Sequence, residues 1–240
     1  MEYKKQLVKF KTDKISELSI ALFVFPFVLF AAINLLAVKR PLLVTGKVYF
    51  DVAIIIGLFA VGLVCHEGLH ALGAMIFAGK KKEDISFGAN FKKMMLYCHI
   101  KTPMKVSSYM ALLLIPAIVT GLIPLIISAI FGNILLVTVF ALLFSGGAGD
   151  FIMFYSLLKK DKNALVLDHE SAPAYYLVYP ENELPDDFSE VTEEEEKILA
   201  EEMNTNKSSR SNNLKIFAVL IFLVVAVAII FGAALFMKLF

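Results

Sequence analysis

VAIIIGLFAVGLVCHEGLHALGAMIFA, residues 52–78, decides how the rest of the chain is read. The stretch exceeds the ~20 apolar residues an α-helix needs to cross ~30 Å of hydrocarbon at ~1.5 Å per residue. Inside it stand His66, Glu67 and His70. On insertion scales a charged side chain at the centre of a span costs about 2.5–3.5 kcal/mol. Three ionisable groups at such a depth point to a site rather than to a chance surface helix.

Four further apolar runs surround this one, over residues 18–38, 109–131, 134–158 and 216–239. Of the 240 residues 58% are hydrophobic, and the mean hydropathy is +0.74. Soluble domains use roughly 45–50% apolar residues, so the excess needs lipid as its solvent. The expected fold class is an all-α polytopic membrane protein of about five transmembrane helices, with a small β-hairpin and a short cytosolic strand/helix insertion. The first run is too long for a signal-peptide core and leads into Lys39 and Arg40 without a small-residue cleavage pattern, so it reads as a retained helix. Cys65 and Cys98 make no disulfide framework.

Lysine placement sets the expected orientation. Lys4, Lys5, Lys9, Lys11 and Lys14 precede the first run; Lys80, Lys81, Lys82, Lys92, Lys93, Lys101 and Lys105 follow the second; Lys159, Lys160 and Lys162 follow the fourth. All three segments are expected in the cytosol, which makes a multi-pass cell-membrane protein with a cytosolic N-terminus. Residues 1–162 then form a membrane-embedded core of four helices with a hairpin near 85–100. Residues 163–213 form a cytosolic segment with an acidic linker, and 214–240 a C-terminal transmembrane helix.

Local signals refine this plan. Ile85, Phe87, Ala89 and Phe91 alternate with small or polar residues, as a strand does, and a partner is expected around 95–100. Pro116, Gly121 and Pro124 predict a bend in the third helix, because proline removes an internal hydrogen bond. Residues 165–180 read as a short strand unit. Thr192 and Glu195 fit a capping box at the start of an acidic helix, with Ile198, Leu199 and Met203 as a narrow apolar stripe. That helix is expected to be solvated.

The spacing His66-Glu67-Gly68-Leu69-His70 puts two imidazoles one turn apart on one helical face, where both can bind a single metal ion. Glu67 lies about 100° round the helix, near enough to reach water at that ion without being a ligand. The cofactor expected is Zn2+, with Glu67 as the catalytic base. A catalytic zinc needs a third protein ligand. Asp150 is the one carboxylate in the fourth run, and it closes Ser145-Gly146-Gly147-Ala148-Gly149-Asp150. His70 lies ten residues before Lys80 and Asp150 nine before Lys159, roughly 15 and 14 Å of helix rise, so the two sit at similar depth. The small residues before Asp150 would let the fourth helix approach the second. His99 and His169 fall outside the spans and read as surface or hairpin residues; Asp168 with His169 is an alternative ligand pair at a less suitable depth.

These residues resemble the site-2 protease-like membrane metallopeptidases, and more closely a group of bacterial membrane proteins described as zincin peptidases. The resemblance runs over about 52–180. It implies that His66, His70 and Asp150 are metal ligands and Glu67 the base; where site-2 proteases carry a glycine after the aspartate, Phe151 stands here. The expected activity is a zinc-dependent endopeptidase acting on membrane or membrane-proximal protein or peptide substrates. The expected partners are that substrate and the lipid bilayer, with no nucleic acid. A proton or metal-ion transporter and a catalytically inactive membrane scaffold are the alternatives.

Overall fold

The computed structural model describes residues 3–33, 36, 45–90, 95–170 and 172–205. The expected C-terminal transmembrane helix, residues 206–213 before it, Phe91 and the lysines at 39, 92 and 93 lie outside the described residues.

Three helical stretches are long and apolar enough to cross a membrane. They are α1 (Thr12–Ile33), α2 (Val48–Ala78) and the run Val106–Phe131, which is built of α3 (Val106–Pro116), a π-helical segment (Ala117–Leu122) and α4 (Ile123–Phe131). A fourth crossing would be the pair α5 (Ile134–Gly146) and α6 (Ala148–Leu157), bent by 42° at Gly147. Where the bend in the third helix is expected, the chain forms a π-helical segment between Pro116 and Pro124, within a run that counts as one span.

The helices pack through an aromatic and aliphatic core and turn other large side chains outward. Phe23, Phe27 and Phe30 of α1 pack with Leu125, Val137 and Ala141. Leu135, Val139 and Leu143 of α5 pack against Ile55, Phe59 and Leu63 of α2. Phe25 and Ile130 are 72% and 74% exposed, which suits a face turned to lipid and is costly in water at about 25 cal/mol per Å².

The structure is mostly helical, with two small antiparallel sheets that include the expected hairpin and strand insertion. The expected hairpin is there: β2 (Ile85–Asn90) pairs with β3 (Met95–Ile100), with Phe87 opposite Cys98. A second sheet has the order β1-β6-β5-β4, formed by β1 (Tyr3–Lys9), β4 (Met104–Lys105), β5 (Leu165–Asp168) and β6 (Ala174–Pro180). Strand β1 pairs with β6 along its whole length, Lys5 opposite Val178. It was not expected, because Lys4, Lys5 and Lys9 give it the look of a charged tail; the apolar edge of β6, buried from Ala174 to Val178, recruits it. The sheet gathers segments that precede α1, precede α3 and follow α6, so the lysine-rich stretches share one side of the helices.

The acidic helix α7 (Glu193–Thr205) starts with the expected capping box: Glu195 N–H bonds to Thr192 Oγ1 at 3.2 Å and Thr192 N–H to Glu195 Oε2 at 3.1 Å. It is less solvated than its charge implies. Leu199 is buried with Ala172, Ala174 and Leu7, and the Tyr176 hydroxyl donates to Glu196 at 2.9 Å.

Candidate metal centre

Helix α2 carries His66, Glu67 and His70 toward the sheet end of its course. Spacing by four residues stacks the imidazoles on one face, with ring centroids 5.1 Å apart. Both are buried, at 6% and 7% exposure. His66, Glu67 and His70 each offer a ligand atom, and these atoms all lie within 4.8 Å of one another.

Each imidazole has its Nδ1 engaged by the third span. His70 Nδ1 lies 3.1 Å from the Leu112 carbonyl oxygen, which can only accept. His66 Nδ1 lies 3.2 Å from Thr120 Oγ1, and that hydroxyl spends its own hydrogen on the Pro116 carbonyl at 2.8 Å. Both partners therefore assign the ring hydrogen to Nδ1 and leave a lone pair on each Nε2. The two Nε2 atoms face the same oxygen: Asp150 Oδ2 is 3.3 Å from His66 Nε2 and 3.7 Å from His70 Nε2. Two lone pairs and a carboxylate oxygen repel one another unless something positive stands among them. In a buried site that is a metal ion or a proton. Two imidazole nitrogens and one carboxylate oxygen are the donor set of a His₂-carboxylate zinc site, with the far ring nitrogens held as such sites require.

Asp150 sits in the first turn of α6, just after the corner at Gly147. The close approach expected of residues 146–149 is made, but toward the third span rather than α2. A Cβ on Gly147 would lie 2.9 Å from Ala117 Cβ, and one on Gly121 2.7 Å from Phe144 Cα, whereas Gly146 and Gly149 meet nothing within 4 Å. Contact between the π-helical segment and the α5–α6 corner thus fixes where Asp150 starts.

Glu67 brings a carboxylate oxygen within 4.8 Å of a ligand atom on each imidazole and also faces the backbone N–H of Cys98 on β3. Its neighbourhood shows in the Cys98 thiol, which burial first, and then the Glu67 and Asp168 carboxylates, push up to about 12. Asp168 and His169 do not join the imidazole pair. Asp168 accepts the Tyr109 hydroxyl at 2.7 Å and the Ile100 N–H at 3.3 Å, and lies 3.4 Å from His99 Nδ1. His169 stacks on Tyr176, with ring centroids 5.6 Å apart. Sequence reasoning missed Thr120 and the Leu112 carbonyl. Thr120 had a signal, a hydroxyl beside Gly121 in an apolar run; a carbonyl has none.

Residues 59–165 match a family model described as "Putative zincin peptidase". The match takes in His66, Glu67, His70, Thr120 and Asp150 and stops at the start of β5. No curated protein and no solved structure matches the chain.

Proposed function

We propose that this chain is a membrane-embedded zinc-dependent endopeptidase in which His66, His70 and Asp150 hold the metal and Glu67 is the catalytic base. One observation carries the reading: both imidazoles turn a lone pair toward the same Asp150 oxygen, at 3.3 and 3.7 Å. The zincin description of the matching family supports it.

Zinc held there would supply Lewis acidity, making water easier to deprotonate and a peptide carbonyl easier to attack. Glu67, whose carboxylate lies within 4.8 Å of the imidazole ligand atoms, is close enough to serve in proton transfer. It takes the proton of the attacking water and returns it to the leaving amine nitrogen. The burial of His66 and His70 keeps bulk water from competing with the metal's donors.

The substrate must be extended at the scissile bond, since a helical peptide carbonyl is already occupied. Strand β3, rather than the alternating strand β2, stands beside Glu67. Lys101 N–H bonds to Asp84 at 2.8 Å on the β2 side, while Ile100 N–H turns the other way to Asp168. By the alternation of an antiparallel pair, the backbone groups of Leu96 and Cys98 also face away from β2. Ile100 and Cys98 turn their N–H groups to Asp168 and Glu67, so a protein or peptide strand would pair there chiefly through Leu96. Lysines on the sheet side support a site turned toward the cytosol.

The test is zinc content of the purified protein. Wild type should carry about one zinc per chain, Asp150→Ala and His66→Ala should lose it, and Glu67→Gln should keep it while losing hydrolysis. Wild type without zinc, or Asp150→Ala with zinc undiminished, would end the reading; a Glu67→Gln that still hydrolyses would remove the base.

A further inference from the structure

The third span holds both histidines through one proline. Pro116 has no N–H, so the carbonyl four residues earlier, that of Leu112, loses the donor a continuous α-helix would give it. The next N–H does not replace it, because Ala117 bonds to Leu114 instead. The freed Leu112 oxygen is the one that His70 Nδ1 faces at 3.1 Å. At its other end Pro116 presents its own carbonyl to the Thr120 hydroxyl at 2.8 Å, which turns the Oγ1 lone pair toward His66 Nδ1. The π-helical segment Ala117–Leu122 begins directly after the proline, and its wider turn carries Thr120.

We propose that Pro116 and Thr120 are positioning residues that set the tautomer and aim of both imidazoles, so that one helix defect in the third span orients a ligand pair carried by the second. This rests on the zinc reading above. Pro116 acts by withholding a donor from Leu112, and Thr120 by accepting from His66. Losing the outer partner of a metal-bound imidazole typically costs about 10–100-fold in metal affinity, and that is the range expected here.

The experiment measures zinc affinity by chelator competition, together with the d–d absorption of the Co2+-substituted protein and the unfolding of the metal-free protein. Pro116→Ala restores an N–H that competes for Leu112. It should lower zinc affinity at least about tenfold while leaving metal-free stability equal or higher, which a proline that merely shaped the fold would not do. Thr120→Val should lower affinity and alter the Co2+ spectrum, and Thr120→Ser should restore both. If Pro116→Ala does not fold, the Thr120→Val and Thr120→Ser pair decides. Affinities of Pro116→Ala and Thr120→Val within about twofold of wild type would overturn the proposal, since the loss of an imidazole's outer partner weakens binding far more than that. A wild-type protein that binds no zinc would instead overturn the site reading beneath it.

Discussion

Tyr109 and Asp168 are joined by a 2.7 Å hydrogen bond between the phenol and Oδ1, and this bond ties the start of the third span to the four-stranded sheet. The other carboxylate oxygen holds Ile100 N–H on β3, so one side chain links β5, the hairpin and α3. Tyr109→Phe leaves a half-satisfied carboxylate in a buried place and should cost about 1–3 kcal/mol. Denaturant titration in detergent checks this; a change under about 0.5 kcal/mol would show that the bond adds nothing net.

Chelation should destabilise the wild type and leave the double variant His66→Ala/His70→Ala unmoved. A ligand present at about 100 times its Kd adds about 2.7 kcal/mol to the folded state. Thermal unfolding with and without chelator reads the difference, and equal shifts in both proteins would place the metal elsewhere.

Gly121→Ala should disturb the site without touching a ligand. The added methyl would meet Phe144 Cα at 2.7 Å, backbone that cannot turn aside, and overpacking of this kind costs about 1–3 kcal/mol. The α5–α6 corner would move with it, and Asp150 follows that corner. Zinc content below wild type in folded protein is the expected result.

The Cys98 thiol should alkylate slowly at pH ~8. Its pKa is pushed up to about 12 by burial and by the Glu67 and Asp168 carboxylates, so the thiol form dominates and the reactive thiolate is scarce. The rate should still be climbing at the highest pH the fold survives. A plateau near pH ~9, close to the ordinary thiol range, would mean that the carboxylates do not face it.

Leu96→Pro should lower hydrolysis while zinc is retained, because proline removes an N–H that points away from β2 and so spares the hairpin. Phe87→Glu, on the far strand and 62% exposed, should have little effect. The reverse pattern would assign substrate pairing to β2.

Much of this was legible because the residues concerned carry their chemistry in their side chains. The alternation from Ile85 marks the hairpin, Thr192 with Glu195 marks a helix start, and counting from lysines places Asp150 level with His70, from which it lies 3.7 Å. The illegible parts are those where the partner decides. Strand β1 is read as a tail because its lysines mask a strand that only the β6 edge makes stable. Leu112 holds His70 through a carbonyl, which every residue has. Leu199 is buried because Ala172, Ala174 and Leu7 meet it, a fact of the tertiary fold and not of the stripe.

The long reach of the β1–β6 pairing bears on how the molecule is made. Lys5 finds Val178 across the sheet, so β1 has to wait until helices α1 to α6 between it and β6 have been made. Until then its backbone donors are open to other extended chains. Closing the sheet is therefore a late event, and it staples the two flanks of the helical set together.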